Sequence, residues 1–589
     1  MCGIAGMMTT TGRAPAADRL QELSAALAHR GPDGDGQHVA SDVGMVQTRL
    51  AIIDLTTGDQ PLYEPGGAAL VANGEIYNYV ELQASLRQAG TQLATGSDCE
   101  PILHLYRRDG LDFVNSLRGM YAIAIHDPTE GRLVLSRDPF GIKPLYFVET
   151  AEHFAFASEA QALHAAGLAP EPSIDPRHRD ELLELQFTCG PDTILNGIQR
   201  LMPGETIVVR GGRIVERRHK AALPETQQSD ISEAGAIEAL DKALTDSVMV
   251  HQRSDVPYGL FLSGGIDSSA ILHLMAKLNS SPVTAFTAGF PGSDVTDERD
   301  RARELARLVG ADHHEVTFDE GDFWSLLPTI AGAMDDPAAD YATLPTWKLA
   351  ETAAQSLKVV LCGEGGDELF AGYGRYRSVL RPWILGGRTV RHRGAFDKLN
   401  ILRDESDSWR DGIASTAALS ASQGRSKLQI AQAIDCTDWL SQDLLTKLDR
   451  CLMAHGLEGR TPFLDPAVAA ASFPLPDRLK IRKGMGKWIL RNWLNGVMPA
   501  ADPFTRKRGF TVPVGAWINN RADKLGPLME GQESLQAICK PGRIEPLLKS
   551  TDKRSGFAAW VLLFYALWHK RHIERVDTRG ANIMEALAQ

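Results

Sequence analysis

The nucleophilic residue nearest the start of the chain is Cys2, which follows Met1 directly. Removal of Met1 would leave a free α-amine, with an unperturbed pKa of roughly 8, beside the thiol as a built-in base. A thiolate placed there can attack an amide carbon, form a thioester and release ammonia. A cysteine at position 2 is weak evidence by itself, because such cysteines also occur by chance.

Hydrolysis of a glutamine side chain needs donors for the developing oxyanion and groups that hold both ends of the amino acid. Asn73 and Gly74 offer a side-chain amide and a backbone N–H, although an Asn-Gly pair is also a strong hairpin-turn signal. Arg49 can hold the substrate carboxylate in a bidentate fork, and Asp98 or Glu75 can receive the ammonium. Taken singly, each charged residue is more often part of a surface ion pair.

A glycine- and serine-rich stretch follows the apolar strand predicted at 258–262. Small residues at a strand end leave backbone N–H groups open at a helix N-terminus, where the dipole favours an anion. The stretch lacks the Gly-Lys-Ser/Thr ending of a Walker loop, and its one acid can hold a metal ion. A serine-capped helix after a glycine turn is the alternative. The residues are Ser263, Gly264, Gly265, Ile266, Asp267, Ser268 and Ser269.

A second acidic stretch, residues 362–373, follows a strand predicted at 358–361. Open α/β sheets bind ligands at the carboxyl ends of their strands, so this stretch is expected beside the first. Asp367 is then a second candidate magnesium ligand. Glu364 is a candidate base, and its alternative is a solvated loop acid. Lys487 could neutralise phosphate charge, although a lone lysine is more often a solvated helix residue.

The elements that must position these residues fall into two groups. The first two hundred residues contain short β-rich runs separated by Gly, Pro and Asp, which predicts stacked antiparallel sheets. Helices are predicted at 20–28 and 80–89, and a hairpin at 205–215 that turns at Gly211-Gly212. From about 233 the pattern alternates between helix and strand, which predicts a parallel sheet. Beyond 380 the sequence is mostly helical.

Composition restricts the class of protein. The net charge of -12 gives no general attraction to nucleic acid or to anionic membranes. Seven scattered cysteines without a CxxC pair fit a reducing cytoplasm. No leader peptide is expected, and the longest apolar run, 557–568, is too short to span a bilayer and is predicted to be a buried helix. A cytoplasmic protein is expected.

The amino-terminal motifs resemble, in their order, those of class II glutamine amidotransferases. That family begins with Cys-Gly-Ile and continues with Arg-Gly-Pro-Asp, found here at 30–33. Further matches are residues 73–78, 97–100 and 136–146. Cys99 departs from the family's usual threonine and is not expected to matter. The resemblance implies Cys2 as nucleophile, Asn73 and Gly74 as oxyanion hole, and Arg49, Asn73, Gly74, Glu75 and Asp98 as glutamine-binding residues.

The second half is similar to enzymes that split ATP between the α- and β-phosphates to adenylate a carboxylate. This implies Mg2+ held by Asp267 and Asp367, Glu364 as the base for attacking ammonia, and Lys487 on the phosphates. Family signatures also occur at Asp449, 453–465 and 507–513. Residues 335–345 are expected to shape the acceptor pocket. The implied ATP contacts are Phe261, Ser263, Gly264, Gly265, Asp267, Ser268, Ser269, Ala288, Cys362 and Gly363.

Nearly the whole chain resembles the glutamine-hydrolysing asparagine synthetase family. The expected fold is α/β and α+β in two domains. An N-terminal nucleophile hydrolase-type αββα sandwich would precede an α/β pyrophosphate-loop ATPase domain with a helix-rich C-terminal part. The expected boundaries are 1–215 for the glutaminase domain, 216–232 for the linker and 233–589 for the synthetase domain.

The implied reaction hydrolyses glutamine to ammonia, activates aspartate with ATP as β-aspartyl-AMP, and yields asparagine, AMP, pyrophosphate and glutamate. Such enzymes join their two sites by an internal ammonia channel, and a homodimer is possible. The partners are these small molecules, with no nucleic acid and no membrane. An alternative is a related amidotransferase with another carboxylate acceptor in natural-product or surface-polysaccharide biosynthesis. A non-catalytic scaffold that keeps the fold is the alternative from another class.

Overall fold

The structure is a computed structural model that describes residues 2–225, 227–291, 297–382, 384, 386–404, 406–421, 424–505 and 512–589. Met1 lies outside the described residues, and so does most of the signature at 507–513.

Two antiparallel sheets, each of six strands within the described residues, occupy the first part of the chain. The spatial orders are β10-β8-β9-β1-β3-β2 and β12-β11-β7-β6-β5-β4. The strands are β1 (Cys2–Thr9), β2 (Gly34–Ala40), β3 (Val43–Arg49), β4 (Leu62–Tyr63), β5 (Ala69–Ile76), β6 (Gly119–Asp127), β7 (Arg132–Arg137), β8 (Tyr146–Glu149), β9 (His153–Ala157), β10 (Gln199–Arg200), β11 (Glu205–Arg210) and β12 (Arg213–His219).

These two sheets pack face to face with helices outside them. Alternation along β1 shows why: Ile4 and Met8 enter the cluster between the sheets, while Ala5 and Met7 pack outward with α1 residues. On the other sheet, Ile123 packs outward against α3. The predicted αββα sandwich is confirmed. The helices here are α1 (Ala17–Leu27), α2 (Tyr79–Gln88), α3 (Glu100–Asp109), α4 (Ala160–Ala165) and α5 (Pro176–Leu185).

A parallel sheet forms the centre of the second part, as the strand–helix alternation predicts. In the described residues its order is β15-β14-β13-β16-β17. The strands are β13 (Tyr258–Phe261), β14 (Thr284–Gly289), β15 (Asp312–Thr317), β16 (Val359–Leu361) and β17 (Glu458–Arg460). The helix α6 (Glu233–His251) precedes this sheet, and the helices that follow its first strand are α7 (Ile266–Leu278), α8 (Arg299–Val309), α9 (Glu320–Ala333), α10 (Thr343–Ala353), α11 (Gly366–Leu369) and α12 (Gly374–Leu380).

The rest of the chain is helical, as expected, except that the short strand β17 returns to the sheet. The apolar run at 557–568 lies in a buried helix, and none of the described helices could span a membrane. A π-helix, Asp435–Leu444, joins α14 to α15. The helices are α13 (Asp411–Ala421), α14 (Lys427–Ile434), α15 (Leu445–Met453), α16 (Pro466–Ser472), α17 (Asp477–Lys480), α18 (Trp488–Val497), α19 (Val514–Asn520), α20 (Ala522–Glu530), α21 (Glu533–Ile538), α22 (Ile544–Leu548), α23 (Lys553–His572) and α24 (Ile583–Ala588).

Two local expectations need correction. The hairpin turns at Gly211-Gly212 as predicted, but β12 continues to His219, four residues beyond the predicted end of the hairpin at 215. Asn73-Gly74 lies inside β5 and pairs with β6, so the alternative interpretation of the pair as a hairpin turn is wrong. The pair adopts strand rather than turn geometry because it continues a strand in which the preceding residues, Val71 and Ala72, are buried on both faces.

One apolar cluster continues from the first part of the molecule into the second. It joins Leu50, Met120 and Ile142 from the sandwich to residues of the parallel sheet such as Leu260 and Leu361. Burial of a shared cluster of this kind stabilises a fixed arrangement of the two parts.

Candidate active sites

Cys2 is the first residue of β1 and lies opposite Arg49 of β3 in the strand register. Its backbone N–H donates to Asn73 Oδ1 at 3.2 Å. The residue is buried, and this burial raises the pKa of the Cys2 thiol despite opposing charges and hydrogen bonds. The thiol is therefore protonated at rest, so attack requires a base beside it.

Asn73 is fully buried on β5, with one side of its amide used and the other available. Its Oδ1 accepts from Cys2, whereas Nδ2 has no hydrogen-bond partner among the described residues. A buried donor without a partner is costly unless a ligand completes it. Gly74 beside it is required by space, because a Cβ would come within 2.1 Å of the Met120 carbonyl oxygen. The geometry fits a donor pair for an oxyanion next to Cys2.

Arg49 ends β3, and its guanidinium donates three hydrogen bonds, the longest of them to the Ile53 carbonyl oxygen at 3.4 Å. Nη1 donates to Asp59 Oδ1 at 2.6 Å, and Nη2 donates to the Asp54 carbonyl oxygen at 2.6 Å. The Asp59 side chain is 82% exposed, so this carboxylate can be exchanged for that of a ligand. Arg49 thus contacts a carboxylate through Nη1 alone, while Nη2 binds backbone carbonyl oxygens, so the bidentate fork predicted from the sequence is not formed with Asp59.

Asp98 and Glu75, the two candidates for a substrate ammonium, have different surroundings. Asp98 Oδ2 accepts from the Ile76 backbone N–H at 2.7 Å, and burial raises the pKa of Asp98 to about 6. Glu75 is instead 3.2 Å from Arg460 of β17 in the second part of the molecule. Burial and the nearby Glu458 raise the Glu75 pKa although Arg460 opposes them. Asp98 is therefore the better placed of the two for a cation from outside.

The second candidate site lies at the carboxyl ends of β13, β14 and β16, as predicted. Ser268 Oγ accepts from the Ser263 backbone N–H at 3.2 Å, and Ser269 Oγ donates to the Gly265 carbonyl oxygen at 2.6 Å. Gly264 has φ of +67°, which favours glycine. The turn leads into α7, whose N-terminus favours an anion. Phe261, Ala288, Cys362 and Gly363 lie at or just beyond the same strand ends.

Lys487 brings the two acidic stretches together. Its buried Nζ donates to Asp267 Oδ2 and is 2.9 Å from Asp367 Oδ1. Burial lowers the Lys487 pKa, but the charges of Asp267 and Asp367 outweigh this and raise it overall. Gly372 permits the contact, because a Cβ there would meet Asp367 Oδ1 at 1.8 Å. Lys487 itself has φ of +58°, a costly conformation for a side-chain-bearing residue that the surrounding contacts must hold.

The residues present fit a magnesium ion. Asp267 Oδ1 is buried without a hydrogen-bond partner in the described part of the chain. Mg2+ is usually held by one or two carboxylates together with substrate phosphates, so a larger protein cage is not required. In the described residues no group of three or more His, Cys, Asp or Glu side chains converges on a metal position.

Glu364 is influenced by the charge of a cation that no sequence motif marks, Lys447 of α15. Burial raises the pKa of Glu364, and the charge of Lys447 partly opposes this. Lys447 Nζ is 2.9 Å from Asp340 Oδ2, which places Asp340 in the same group. A carboxyl with a raised pKa is suited to accept a proton near neutral pH. Lys447 lies in the helix that follows the π-helix and belongs to no motif, so its place near Glu364 could not be predicted from residue spacing.

The stretch expected to shape the acceptor pocket is only partly open. Asp335 is fully buried and ion-paired with Arg450 at 2.7 Å. Asp336 is buried with Arg200, and the Tyr146 hydroxyl donates to it at 2.9 Å. These two acids therefore hold structure together, and Asp340 is the acid of this stretch that lies with Glu364 and Lys447.

Arg30 links the first site to the second part of the molecule. Its side chain is fully buried and donates to the Cys2 carbonyl oxygen at 3.3 Å and to Glu159 at 2.8 Å. It also donates to both carboxylate oxygens of Asp449, at 2.8 and 3.1 Å. The sequence motifs include both Arg30 and Asp449. Their contact could not be predicted from them, because it joins positions 419 residues apart.

Comparisons with known proteins agree with this arrangement. The asparagine synthase family model matches residues 239–570, and the glutamine amidotransferase domain model matches residues 1–220. Asparagine synthetase [glutamine-hydrolyzing] 1 of Bacillus subtilis is 32% identical over 623 aligned positions, which cover 98% of this chain and 97% of that protein. Asparagine synthetase [glutamine-hydrolyzing] 2 of the same organism is 30% identical, covering 84% and 69%. Amidase chry2 of Gibberella zeae is 32% identical over 64% of this chain and 60% of its own.

The family model spans more than half of the chain, and the first of these relatives matches it almost from end to end. The chain belongs to the glutamine-hydrolysing asparagine synthetase family.

Proposed function

We propose that this protein is a glutamine-dependent asparagine synthetase. It would hydrolyse glutamine to ammonia, activate aspartate with ATP as β-aspartyl-AMP, and form asparagine, AMP, pyrophosphate and glutamate. The observation that supports this most strongly is Asn73, whose Oδ1 accepts from Cys2 while Nδ2 has no described partner. We further propose residues 1–215 as the glutaminase domain, 216–232 as the linker and 233–589 as the synthetase domain.

In the proposed glutaminase reaction Cys2 attacks the glutamine amide carbon. Removal of Met1 frees the α-amine that accepts the thiol proton and returns it to the leaving ammonia. Asn73 Nδ2 and the Gly74 N–H stabilise the oxyanion. Arg49 exchanges Asp59 for the substrate α-carboxylate, and Asp98 holds the α-ammonium with help from Glu75 nearby. Water then releases glutamate from the thioester.

In the proposed synthetase reaction the glycine- and serine-rich turn binds the ATP phosphates at the start of α7. Lys487 neutralises charge on the α- and β-phosphates. Asp267 and Asp367 would hold Mg2+, which supplies positive charge to the phosphates when bound. Phe261, Ala288, Cys362 and Gly363 would border the nucleoside. Glu364 takes a proton from ammonia as the nitrogen attacks the activated carboxyl and AMP leaves.

The test is an assay of purified protein with ATP and magnesium, measuring AMP and pyrophosphate. We expect both products to form in equal amounts only when aspartate and a nitrogen source, glutamine or ammonium, are present. Absence of AMP with aspartate would reject the asparagine assignment and leave the amidotransferase class in place. A scaffold protein would give no pyrophosphate with any acceptor.

A second candidate keeps both half-reactions but changes the carboxylate acceptor, as in natural-product or surface-polysaccharide biosynthesis. The similarity to amidase chry2 over 64% of the chain favours keeping it. The acceptor stretch at 335–345 also favours keeping this candidate. Asp335 and Asp336 are ion-paired with arginines, and Asp340 is ion-paired with Lys447, so none of these three acids by itself indicates aspartate as the acceptor. Replacing aspartate by other amino-acid carboxylates in the same assay separates the two candidates.

A further inference from the structure

The inner face of β3 carries a polar residue, Gln47, beside the cysteine site. In the register of β1 and β3, Gln47 lies opposite Ile4, and Arg49 lies opposite Cys2. Opposite residues in an antiparallel pair point to the same face, and Ile4 belongs to the apolar cluster between the two sheets. Gln47 therefore points between the sheets as the diagonal neighbour of Cys2. Such neighbours are about 7–8 Å apart, a distance that long side chains can bridge.

The Gln47 side chain is buried with both ends of its amide unused. The residue is 1% exposed, and neither Oε1 nor Nε2 forms a hydrogen bond within the described residues. On the side away from the cysteine, the neighbours on this face cannot supply a partner, because Met45 and Ile4 are apolar and Gly36 of β2 has no side chain. A buried amide without partners is costly, so the group is expected to bind something that forms or enters beside it.

Polar groups gather at the Cys2 end of this face. Asn73 Oδ1, which comes from the opposite sheet, accepts from the Cys2 backbone N–H at 3.2 Å. Burial raises the pKa of the Cys2 thiol, and the Gln47 amide is among the groups that oppose this rise. The strand register and this effect agree that the amide lies near the thiol, although the two are not hydrogen-bonded while Cys2 is in the arrangement described.

We propose that Gln47 is a further catalytic residue of the glutaminase reaction, whose amide binds Cys2 in its ionised, reactive form. The inference rests on the proposed function, because it assumes removal of Met1 and attack by Cys2. Before attack the S–H bond breaks: the proton moves to the α-amine nitrogen, and sulfur keeps the electron pair. The thiolate then needs a donor, and the ammonium needs acceptors. Gln47 Nε2 donates to the thiolate, and Oε1 accepts from the ammonium alongside Asn73 Oδ1.

The test compares Gln47→Leu, Gln47→Glu and Gln47→His in the full-length protein, with Met1 removal checked by mass. Two measurements are made across pH: kcat and KM for glutamate release from glutamine, and the rate at which iodoacetamide alkylates Cys2, followed on the N-terminal peptide. We expect Leu to lower kcat about 10- to 100-fold, the effect of one hydrogen bond to a charged group, with KM within about twofold. The midpoint pH of alkylation should rise by about one unit.

The other two substitutions separate chemistry from packing. Glu has the size of Gln but adds a negative charge and loses the donor, so the alkylation midpoint should rise further than with Leu. His keeps one donor and one acceptor and should fall between Leu and wild type. Met45→Leu is the matched control, because it conserves volume on the same buried face, and it should leave kcat and the midpoint unchanged. Ammonium-dependent AMP formation should stay within about twofold in every variant.

An alkylation midpoint that stays at the wild-type value in both the Leu and the Glu variants would overturn the inference. A raised KM at constant kcat would also overturn it, because Gln47 would then bind glutamine instead of Cys2. If the Leu variant fails to fold, the Glu variant decides by the same midpoint. A wild type that releases no glutamate rejects both proposals, whereas glutamate release with unchanged midpoints rejects only the role of Gln47.

Discussion

The chemistry proposed for Cys2 depends on two contacts of one residue, Asn73. The backbone N–H of Cys2 occupies Asn73 Oδ1, so Nδ2 is left to act on an oxyanion. Sequence motifs predicted that Cys2, Asn73 and Gly74 would lie together. They could not show that Asn73 is held by Cys2 itself, because the contact joins strands from opposite sheets of the sandwich.

Replacing Cys2 by alanine should separate the two half-reactions. Glutamine-dependent synthesis is expected to fall below detection, because the nucleophile is gone, while ammonium-dependent AMP formation stays within about twofold of wild type. Cys99→Ala is the matched control, since Cys99 is also buried and lies beside Asp98. Loss of both nitrogen sources in the Cys2 variant would show that the division into two sites is wrong.

Asp98 predicts the pH dependence of glutaminase activity. Its folded-state pKa is raised to about 6, chiefly by burial, and the ionised form is the one that binds an ammonium. The value of kcat/KM for glutamine, which reports the free enzyme, should therefore fall as pH drops through about 6. An activity that is flat between pH 5 and pH 7 would argue against Asp98 as the ammonium ligand.

The raised pKa of Asp98 also predicts how stability depends on pH: glutaminase activity should rise with pH, whereas the contribution of Asp98 to stability should fall. Because the folded pKa is raised above the unfolded value of about 3.9, the folded protein binds more protons between these values and loses stability as pH rises through about 6. Asp98→Asn should therefore unfold at a higher temperature than wild type at pH 8 and differ less at pH 5. A lower unfolding temperature at both values would contradict the assigned shift.

At the scale of elements, the strand–turn–helix unit from β13 to α7 could be predicted from its glycines, serines and apolar run. The end of the sheet could not. Strand β17 has three residues, Glu458, Gly459 and Arg460, whose polarity does not suggest a strand. It is stabilised by pairing with β16 and by the contacts of Arg460 with Glu458 and Glu75. Tertiary contacts therefore override local preference here.

Lys487, at the start of α18, contacts Asp267 of α7 and Asp367 of α11 at the proposed phosphate site, so its substitution tests this arrangement of elements. Lys487→Met should lower the rate of AMP formation by about 10²–10³-fold, the usual loss for one charge-stabilising donor. Glutaminase activity should stay within about twofold. Lys483→Met is the matched control, because Lys483 also has a positive φ, of +52°, and is exposed. Equal losses in both variants would indicate a local folding effect in place of catalysis.

The whole molecule depends on a buried polar interface between its two parts. Arg30 and Asp449 are both buried and form a bidentate pair that also reaches the Cys2 carbonyl oxygen. Two parts of different fold were predictable from the change in pattern near residue 220. Their contact was not, because it pairs residues distant in sequence and uses motif residues that equally suit a local role.

Breaking this interface pair should be costly. Asp449→Asn removes the carboxylate that Arg30 shares with Arg450 and leaves Arg30 with Glu159 and Arg450 with Asp335. We therefore expect a loss of about 3 kcal/mol in unfolding free energy, the lower end for a broken buried pair. Glutamate should then be released without matching asparagine synthesis. The control is Glu216→Gln, at an exposed pair with Arg218, where about 0–1 kcal/mol is expected. Denaturant unfolding followed by fluorescence measures both. Similar small losses in the two variants would contradict the structural role of Arg30 and Asp449.

We propose, as the central claim, that nitrogen released at Cys2 reaches the second site inside one molecule. The most direct measurement supplies glutamine labelled with ¹⁵N in its amide, together with excess unlabelled ammonium, aspartate, ATP and magnesium. Mass spectrometry then gives the label in the asparagine product. We predict asparagine whose amide carries far more ¹⁵N than the ammonium in solution. Asparagine with the isotope ratio of the bulk ammonium, or no asparagine at all, would contradict the claim.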